Sequence, residues 1–322
     1  MAYTVLPDFS VHPLPRVIRV EPSSACNLRC VHCPTGIRKG AKRGVMSRAV
    51  FNKVVKEIRD NKGVDVVVLY HGGEPFLNKD IFHMIKAIKK LGIRFVKTVT
   101  NGMMVTEEMI PRILKSGIDS IEFSLDGNSP EDNDRLRRGG DYKRVASIVK
   151  LMLMQRDKFK LVKPDIYVAN TQVTTKKNFK SNKDISTPRF LLDDFRDFNG
   201  KVLFKNTFMY KWPGFDNPEQ YELLCPKREE KTPGYCNHVH EVTTIRWNGD
   251  VVPCCLDIVS QYIVGNIMQH SLSEIWNSEK YRSLRKSIYD RKFYRLCSHC
   301  HEVMPQSYLV LKDDEAANLA KG

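Results

Sequence analysis

The chain has 322 residues, of which 42% are hydrophobic and 28% charged, and 52 Lys and Arg against 37 Asp and Glu give a formal net charge of +15. This is an ordinary globular composition, and the length allows one large domain plus a small one. No run of 18 apolar residues is present, and the first residues, MAYTVLPDFS, lack a signal-peptide pattern, so neither a membrane-spanning helix nor export is expected. The basic excess favours anionic partners, although it is equally compatible with a solubility role.

Strand-like and helix-like segments alternate from residue 15 to about residue 210. The predicted strands are, in chain order, VIRVEPS, VDVVVLYHG, IRFVKTVTNG, IDSIEFSLDG, KPDIYVANTQVTT and GKVLFKNTFMY. The predicted helices between them are SRAVFNKVVKEIRD with Ser47 as N-cap, NKDIFHMIKAIKKLG ended by Gly92, TEEMIPRILKSG ended by Gly117, DYKRVASIVKLMLMQRDK and PRFLLDDFRDFN. Repeated strand–helix units produce parallel strands, and six units are too few for a closed eight-stranded barrel. The sequence therefore predicts an α/β fold with an open, partial (β/α)6 barrel.

Three cysteines follow the first predicted strand, in the segment EPSSACNLRCVHCPTG. Cys26, Cys30 and Cys33 have the spacing Cys-x3-Cys-x2-Cys. Three thiolates on a four-iron cluster leave one iron open to bind and cleave a ligand, whereas a fully ligated cluster only transfers electrons. A zinc site with His32 as fourth ligand is the alternative, but zinc sites usually use paired ligands, and His32 is adjacent to Cys33.

Other polar motifs follow the next three predicted strands. Gly72-Gly73-Glu74-Pro75 follows the second strand, Asn101-Gly102 the third, and Ser124-Leu125-Asp126-Gly127 the fourth. The carboxyl ends of parallel barrel strands meet at one rim, where barrel enzymes carry their reactive groups. The sequence therefore predicts an active site at this rim. Tyr210 and Trp212, after the sixth strand, either line its pocket or belong to the core.

The cysteine loop, the GGEP segment and SLDGNSPEDNDRLRRGG resemble the radical S-adenosylmethionine (SAM) enzymes. In that family the open iron chelates the amino and carboxylate groups of SAM, and an electron splits the sulfonium to a 5′-deoxyadenosyl radical that abstracts a substrate hydrogen. The resemblance implies SAM contacts from Gly72, Gly73, Glu74, Asn101, Ser124, Asp126, Arg135 or Arg137, and His32 packing near the adenine. The choice between the two arginines stays open, because Asn133 stands where the family pattern has histidine.

Six further cysteines lie beyond residue 224. The pattern Cys236-x12-Gly249-x4-Cys254 encloses EVTTIRWNGDVVPC, which predicts a hairpin turning at Asn248-Gly249, and a helix in SLSEIWNSEKYRSLRKSI precedes Cys297-x2-Cys300. This layout resembles the SPASM and twitch modules that hold auxiliary clusters. A full SPASM module has seven cysteines and two clusters, so the shorter set implies one auxiliary [4Fe-4S] cluster on Cys236, Cys254, Cys297 and Cys300. A zinc ribbon is the alternative.

Cys225 and Cys255 remain outside this ligand set. Either thiol is a candidate hydrogen-atom donor, the role that a cysteine has in radical SAM epimerases. A buried cysteine is also a common small hydrophobic residue, and this interpretation is favoured for Cys255. Cys225 is a further candidate to replace Cys236 as a ligand.

The expected organisation is an extension at residues 1–14, the barrel at 15–224, the auxiliary-cluster domain at 225–303 and a tail at 304–322. The layout is similar to that of the 2-deoxy-scyllo-inosamine dehydrogenases. This resemblance implies that the protein oxidises an alcohol group of a sugar or an aminocyclitol. The basic net charge favours a substrate that is phosphorylated or linked to a nucleotide. Epimerisation and peptide maturation are the enzymatic alternatives, and a zinc-stabilised nucleic-acid-binding protein is the non-enzymatic one. The family implies a flavodoxin or ferredoxin electron donor, and nine cysteines without an export signal indicate the cytoplasm.

Overall fold

The computed structural model describes residues 3–37, 42–179, 185–213, 215, 219, 221–224, 235–298, 300, 302–303 and 308–312. The strands are β1 (Thr4–Val5), β2 (Val11–His12), β3 (Val17–Val20), β4 (Val66–Leu69), β5 (Phe95–Thr100), β6 (Ser120–Ser124), β7 (Asp165–Gln172), β8 (Val202–Phe208), β9 (Tyr221–Leu224), β10 (Val242–Ile245), β11 (Asp250–Val252), β12 (Gly265–Asn266) and β13 (Tyr308–Leu311). The helices are α1 (Pro34–Ile37), α2 (Arg48–Asp60), α3 (Ile81–Lys90), α4 (Ile110–Leu114), α5 (Pro130–Leu136), α6 (Tyr142–Lys158), α7 (Arg189–Asp194), α8 (Asn237–Glu241), α9 (Leu272–Trp276) and α10 (Glu279–Tyr289). Within these ranges, no helix combines the length and apolar character needed to cross a membrane.

The six barrel strands form a continuous parallel array in the order β3-β4-β5-β6-β7-β8. Helices connect successive strands and pack on the outer face of the sheet, where Ile18, Val67, Val96, Ile121 and Ile166 are fully buried in one hydrophobic core. This arrangement confirms the predicted partial (β/α)6 barrel, and it brings the carboxyl ends of all six strands to one rim.

The local signals at the two ends of the barrel helices act as the sequence predicts. Helix α2 begins after Ser47, whose hydroxyl accepts a hydrogen bond from the Val50 amide. Its apolar positions Phe51, Val54 and Ile58 face the core at helical spacing, and full burial of each such side chain contributes about 1.5–3 kcal/mol. Gly92 follows α3 with a φ of +78°, a left-handed conformation that favours glycine and stops the helix.

The predicted hairpin of the carboxyl-terminal region is present but continues the barrel sheet. Strands β10 and β11 pair antiparallel around Asn248-Gly249, and Gly249 has a φ of +89°. Strand β10 also pairs in parallel with β3, with Thr244 opposite Arg19, so the sheet has the order β12-β11-β10-β3-β4-β5-β6-β7-β8. The separate small domain expected at 225–303 is therefore joined to the barrel by backbone hydrogen bonds.

Two other features of this region differ from the sequence expectation. The single helix predicted in SLSEIWNSEKYRSLRKSI is two helices, because Ser278 caps α10 through the Tyr281 amide and interrupts the helical run after Trp276. The amino-terminal hairpin of β1 and β2 is anchored to these helices, since the indole of Trp276 donates a hydrogen bond to the Val11 carbonyl at 3.1 Å.

The region counted as a tail contributes a strand. β13 pairs antiparallel with β9, and the Leu309 and Leu311 amides donate hydrogen bonds to the carbonyls of Met209 and Thr174, which follow β8 and β7. Leu309 and Leu311 form a small buried cluster with Leu136, Met209 and Tyr221. This strand pair therefore covers part of the rim at the carboxyl ends of the barrel strands.

Candidate active site

The predicted rim motifs surround one pocket at the carboxyl ends of the barrel strands. Its lining includes every predicted SAM-binding residue except Arg135, together with the three clustered cysteines, namely Cys26, Cys30, His32, Cys33, Gly72, Gly73, Glu74, Asn101, Ser124, Asp126 and Arg137. Tyr210 and Trp212 also line the pocket, and their rings pack together with centroids 5.2 Å apart. The convergence that the strand order predicts is therefore present in the fold.

The first cysteine loop presents three thiols to this pocket. Burial raises the pKa of Cys26 and raises that of Cys30 to about 12, so these thiols become thiolates only where a cation compensates the charge. Arg137 provides part of that compensation, because its charge acts to lower the pKa of both groups. The Leu28 amide donates to the Cys26 sulfur at 3.4 Å, the kind of contact that tunes a bound iron–sulfur cluster.

The three cysteines of this loop provide the number of thiolates that a four-iron cluster with one open iron requires. Four sulfurs around one zinc ion lie within about 4 Å of each other, because each Zn–S bond is about 2.3 Å long. Within the described ranges, no three His, Cys, Asp or Glu side chains are arranged to hold one metal ion, and His32 faces Asp126. The zinc alternative of the first loop therefore gains no support from the geometry.

The GGEP segment packs against the cysteine loop. A Cβ at Gly73 would lie 2.3 Å from the Ala25 carbonyl oxygen and 2.4 Å from that of Ser23, so only glycine fits this contact. The Glu74 amide then donates to the Ala25 carbonyl at 2.8 Å. Gly73 therefore makes a close backbone contact with the cysteine loop, and it also lines the pocket.

Glu74 is buried and holds the next rim segment in place. Its Oε1 accepts hydrogen bonds from the Thr100 hydroxyl at 2.8 Å and the Phe76 amide at 3.0 Å, and its Oε2 accepts one from the Asn101 amide at 2.8 Å. The Asn101 side chain in turn donates to Asn27 Oδ1 in the cysteine loop at 2.9 Å. Glu74 therefore joins three rim segments, and because a carboxylate oxygen can accept more than one hydrogen bond, it can also accept from a ligand in the pocket that it lines.

A buried ion pair forms the opposite wall of the pocket. Arg137 Nη1 donates to Asp126 Oδ2 at 2.6 Å, and His32 Nε2 lies 3.4 Å from the same oxygen. Burial would raise the pKa of Asp126, but the adjacent Arg137 and His32 hold it below its usual value. Burial lowers the pKa of His32, whose Nδ1 has no hydrogen-bond partner within the described residues. A buried nitrogen without a partner fits a pocket that a polar ligand completes.

The structure distinguishes the two candidate arginines by their positions. Arg137 directly follows α5 as its C-cap residue and is 9% exposed, and it lines the pocket. Arg135 lies within the last turn of the same helix and forms an ion pair with Asp132 at the surface. Ser124 lines the pocket beside Asp126.

The four carboxyl-terminal cysteines assigned to a second cluster are all buried. Cys236, Cys254, Cys297 and Cys300 are 6–7% exposed, and each lies close enough to others of the set to influence their pKa values. Burial raises the pKa of Cys236 to about 11 and that of Cys300 to about 12. The Leu256 amide donates to the Cys254 sulfur at 3.3 Å, which repeats the contact at Cys26. Four buried thiols are a donor set that fits a fully ligated cluster.

Cys255 lies outside this set, between the two groups of cysteines. It is half-buried, and its sulfur lies 3.3 Å from Nδ1 of His238, whose Nε2 lies 3.7 Å from Glu302. Its charge also acts on the pKa values of Tyr70 and Tyr210, so the thiol is near the barrel pocket. Cys225, the other candidate hydrogen donor, lies outside the described residues.

Sequence reasoning missed two residues that connect these elements. Glu21, fully buried at the end of β3, accepts from Arg246 Nε at 2.9 Å and from the amides of Gly72 and Trp247. Nε2 of His71 donates a hydrogen bond to the Asp257 carbonyl at 3.3 Å, and burial lowers the pKa of this imidazole to about 4. The glutamate before Pro22 was a usable signal, since a carboxylate at the end of an otherwise apolar strand requires a partner.

Comparison with known proteins identifies the family. A sequence model of the Radical SAM superfamily matches residues 20–155, which include the first three cysteines and the Asp126–Arg137 pair. A model described as an iron–sulfur cluster-binding SPASM domain matches residues 236–301. This chain carries a Radical SAM domain followed by a SPASM domain. The two domains imply a [4Fe-4S] cluster, SAM and auxiliary iron–sulfur clusters, and they support an enzyme over the zinc-stabilised nucleic-acid-binding alternative.

Named relatives differ in what they act on. The tungsten-containing aldehyde ferredoxin oxidoreductase cofactor-modifying protein of Pyrococcus furiosus is 26% identical over 326 residues, covering 88% of this chain and 87% of that protein. A GTP 3′,8-cyclase of Clostridium botulinum is 34% identical over 131 residues, 40% of each chain. The structure of BtrN in complex with AdoMet and 2-DOIA superposes with a TM-score of 0.60 at 19% identity, covering 90% of this chain and 94% of BtrN. That last likeness shows the fold alone.

Proposed function

We propose that this radical SAM enzyme abstracts a hydrogen atom from a small molecule and oxidises its alcohol by two electrons, with a sugar or an aminocyclitol as substrate. The observation that carries the proposal is the group of four buried cysteines held against the barrel by the pairing of β10 with β3. A fully ligated second cluster at this position suits an electron acceptor, because it has no open iron for a substrate. The fold shared with BtrN, whose structure contains AdoMet and 2-DOIA, is consistent with this proposal, whereas the Pyrococcus furiosus relative is described as a cofactor-modifying protein.

We propose the following role for each group of cysteines. Cys26, Cys30 and Cys33 bind the first cluster and leave one iron open, while Cys236, Cys254, Cys297 and Cys300 bind the second. When bound, the first cluster would supply the electron that cleaves SAM, and the second would accept one electron from the substrate radical that hydrogen abstraction leaves. The hydroxyl proton would pass to a base, so that the alcohol loses two electrons and two protons in all.

Around the cofactors, Arg137 orients the SAM carboxylate, since a guanidinium suits two-point carboxylate binding. Glu74 holds the rim loops in place and accepts a hydrogen bond from the amino group of SAM. Nδ1 of His32, which has no partner among the described residues, is available for a hydrogen bond with the cofactor. Asn101 and Ser124 complete the polar wall. Tyr210 and Trp212 cover the mouth and exclude water, which protects a reactive intermediate. We also propose a flavodoxin or ferredoxin as electron donor and a reducing, cytoplasmic location, in which the cluster thiols stay reduced.

The test is anaerobic incubation with SAM and dithionite, with 5′-deoxyadenosine measured by chromatography. Free and phosphorylated sugars and aminocyclitols are then screened, and oxidation is expected to remove two mass units from the substrate. The matched variants replace each group of cysteines by alanine. The first group is expected to be required for 5′-deoxyadenosine, and the second only for substrate oxidation. Deoxyadenosine formation by the first variant would contradict the assignment.

One observation favours epimerisation as a second candidate. Cys255 lies between the two cysteine groups in contact with His238, where a thiol can return a hydrogen atom to a substrate radical. Turnover in heavy water separates the candidates, because epimerisation leaves the substrate mass unchanged except for one solvent deuterium at carbon. Cys255→Ser is expected to abolish such deuterium incorporation, whereas oxidation would continue in that variant.

A further inference from the structure

The inner face of the barrel carries charged side chains. In β3, Ile18 and Val20 are fully buried in the core beneath the helices, so the alternate residue, Arg19, faces the barrel interior. Its register partners Val68 in β4 and Thr244 in β10 face the same way, because paired residues of neighbouring strands share a face of the sheet. Arg19 therefore lies inside the barrel between the two halves of the sheet.

The guanidinium of Arg19 is only partly satisfied by the protein. It lies over the Tyr70 ring, 5.5 Å from the centroid, and Tyr70 lines the pocket that holds Cys33. Among the residues that the structure describes, the buried Nε of Arg19 has no hydrogen-bond partner, and neither has the hydroxyl of Thr244, its fully buried register partner in β10. Two neighbouring buried polar atoms without partners are rare in folded proteins, and they indicate a group that binds between them.

The carboxylate that lies inside the barrel does not neutralise Arg19. Glu122 forms ion pairs with Lys97 and with Lys205, the latter at 3.4 Å, and within the described ranges Arg19 forms none. Burial raises the pKa of Tyr70, and the charge of Arg19 opposes this shift, so its positive field reaches the pocket wall. The same field acts on the pKa of Tyr210. Arg19 therefore contributes positive charge to the barrel interior beside the SAM pocket.

We propose that Arg19 binds an anionic group of the substrate, a carboxylate or a phosphate, inside the barrel beside the SAM pocket. The guanidinium can donate from Nε and a terminal nitrogen to two oxygens of such a group, and the Thr244 hydroxyl can donate to one of them. Because the guanidinium lies over the ring of Tyr70, which lines the pocket, an anion bound there would hold the remainder of the substrate at the pocket. This inference rests on the proposed function and specifies its substrate class.

The test is isothermal titration calorimetry of the air-free, iron-loaded protein saturated with SAM, which occupies the Arg137 side of the pocket. Inorganic phosphate and acetate are titrated separately at constant ionic strength set with chloride. Arg19→Gln is expected to weaken binding of the preferred anion by about tenfold or more, since hydrogen bonds to charged groups contribute that much. Arg59→Gln, which removes the same charge from an exposed position of α2, is expected to bind as the wild type does.

The outcomes are distinct. Arg19-dependent binding of phosphate supports a phosphorylated substrate, and Arg19-dependent binding of acetate supports a carboxylated one. Absence of both, or equal affinity in the wild type and Arg19→Gln, overturns the proposal and leaves Arg19 as a packing residue for Tyr70. If Arg19→Gln does not fold by circular dichroism, Arg19→Lys replaces it, with weaker binding expected because lysine loses the two-point contact. Formation of 5′-deoxyadenosine by the same wild-type preparation tests the proposed function independently.

Discussion

Replacing Arg246 by methionine tests how firmly the carboxyl-terminal hairpin is joined to the barrel. Arg246 is 9% exposed and donates to the fully buried Glu21, so its loss leaves an uncompensated carboxylate in the protein interior. Breaking such a pair costs about 3–5 kcal/mol. The amides of Gly72 and Trp247 still donate to this carboxylate at 3.1 and 3.2 Å, so we expect the lower end, about 3 kcal/mol.

The measurement is urea unfolding of the air-free, iron-loaded protein, followed by far-ultraviolet circular dichroism. Arg48→Met is the control, because Arg48 pairs with Asp80 at 2.7 Å but its side chain is 71% exposed, and such pairs contribute about 0–1 kcal/mol. Glu21→Gln combined with Arg246→Met should be less destabilised than the sum of the single changes. A loss below about 1 kcal/mol for Arg246→Met, or strict additivity in the double variant, would refute the reasoning.

Three other predictions concern the iron sites and a helix cap. Replacing the first cysteine group (Cys26, Cys30, Cys33) by alanine should lower the iron content from about eight to about four atoms per chain. Elemental analysis of air-free protein measures this content, and an unchanged value would contradict the ligand assignment. Gly73→Ala should cause the same loss of iron, because its Cβ would lie 2.3 Å from a carbonyl oxygen of the cysteine loop. Gly63→Ala is the control and should retain the wild-type iron content, because no described atom beyond its own residue and the two chain neighbours lies within 4 Å of the added Cβ. Ser47→Ala should reduce the free energy of unfolding by about 1 kcal/mol in the same urea assay, through loss of the cap on Val50, and no change would show that the cap is dispensable.

The barrel was predictable because its signals are local. Buried strands such as Val66–Leu69, helix caps such as Ser47 and stops such as Gly92 each determine the conformation within a few residues. The pairing of β10 with β3 joins residues more than 200 positions apart, and no local pattern encodes which edge a hairpin will extend. The contribution of β13 to the rim is another long-range pairing of this kind.

The functional site likewise combines features that local sequence predicts with features that depend on tertiary contacts. Strand order alone places the rim motifs together, which is why the sequence predicts the pocket lining. The choice between Arg135 and Arg137 depends on where α5 ends, and helix ends are less certain in sequence than helix centres. The three donors to Glu74, and the unpartnered Nε of Arg19, follow from tertiary contacts that no spacing in the chain reveals.

The parallel pairing between β10 and β3 has a consequence for dividing the protein into fragments. A polypeptide ending before residue 236 would expose the amides and carbonyls of Val17–Val20 as an open edge, directly beside the cysteine loop. Unprotected edges of this kind recruit strands from other molecules. The amino-terminal part alone should therefore self-associate, because its edge strand loses the partner that the carboxyl-terminal hairpin provides.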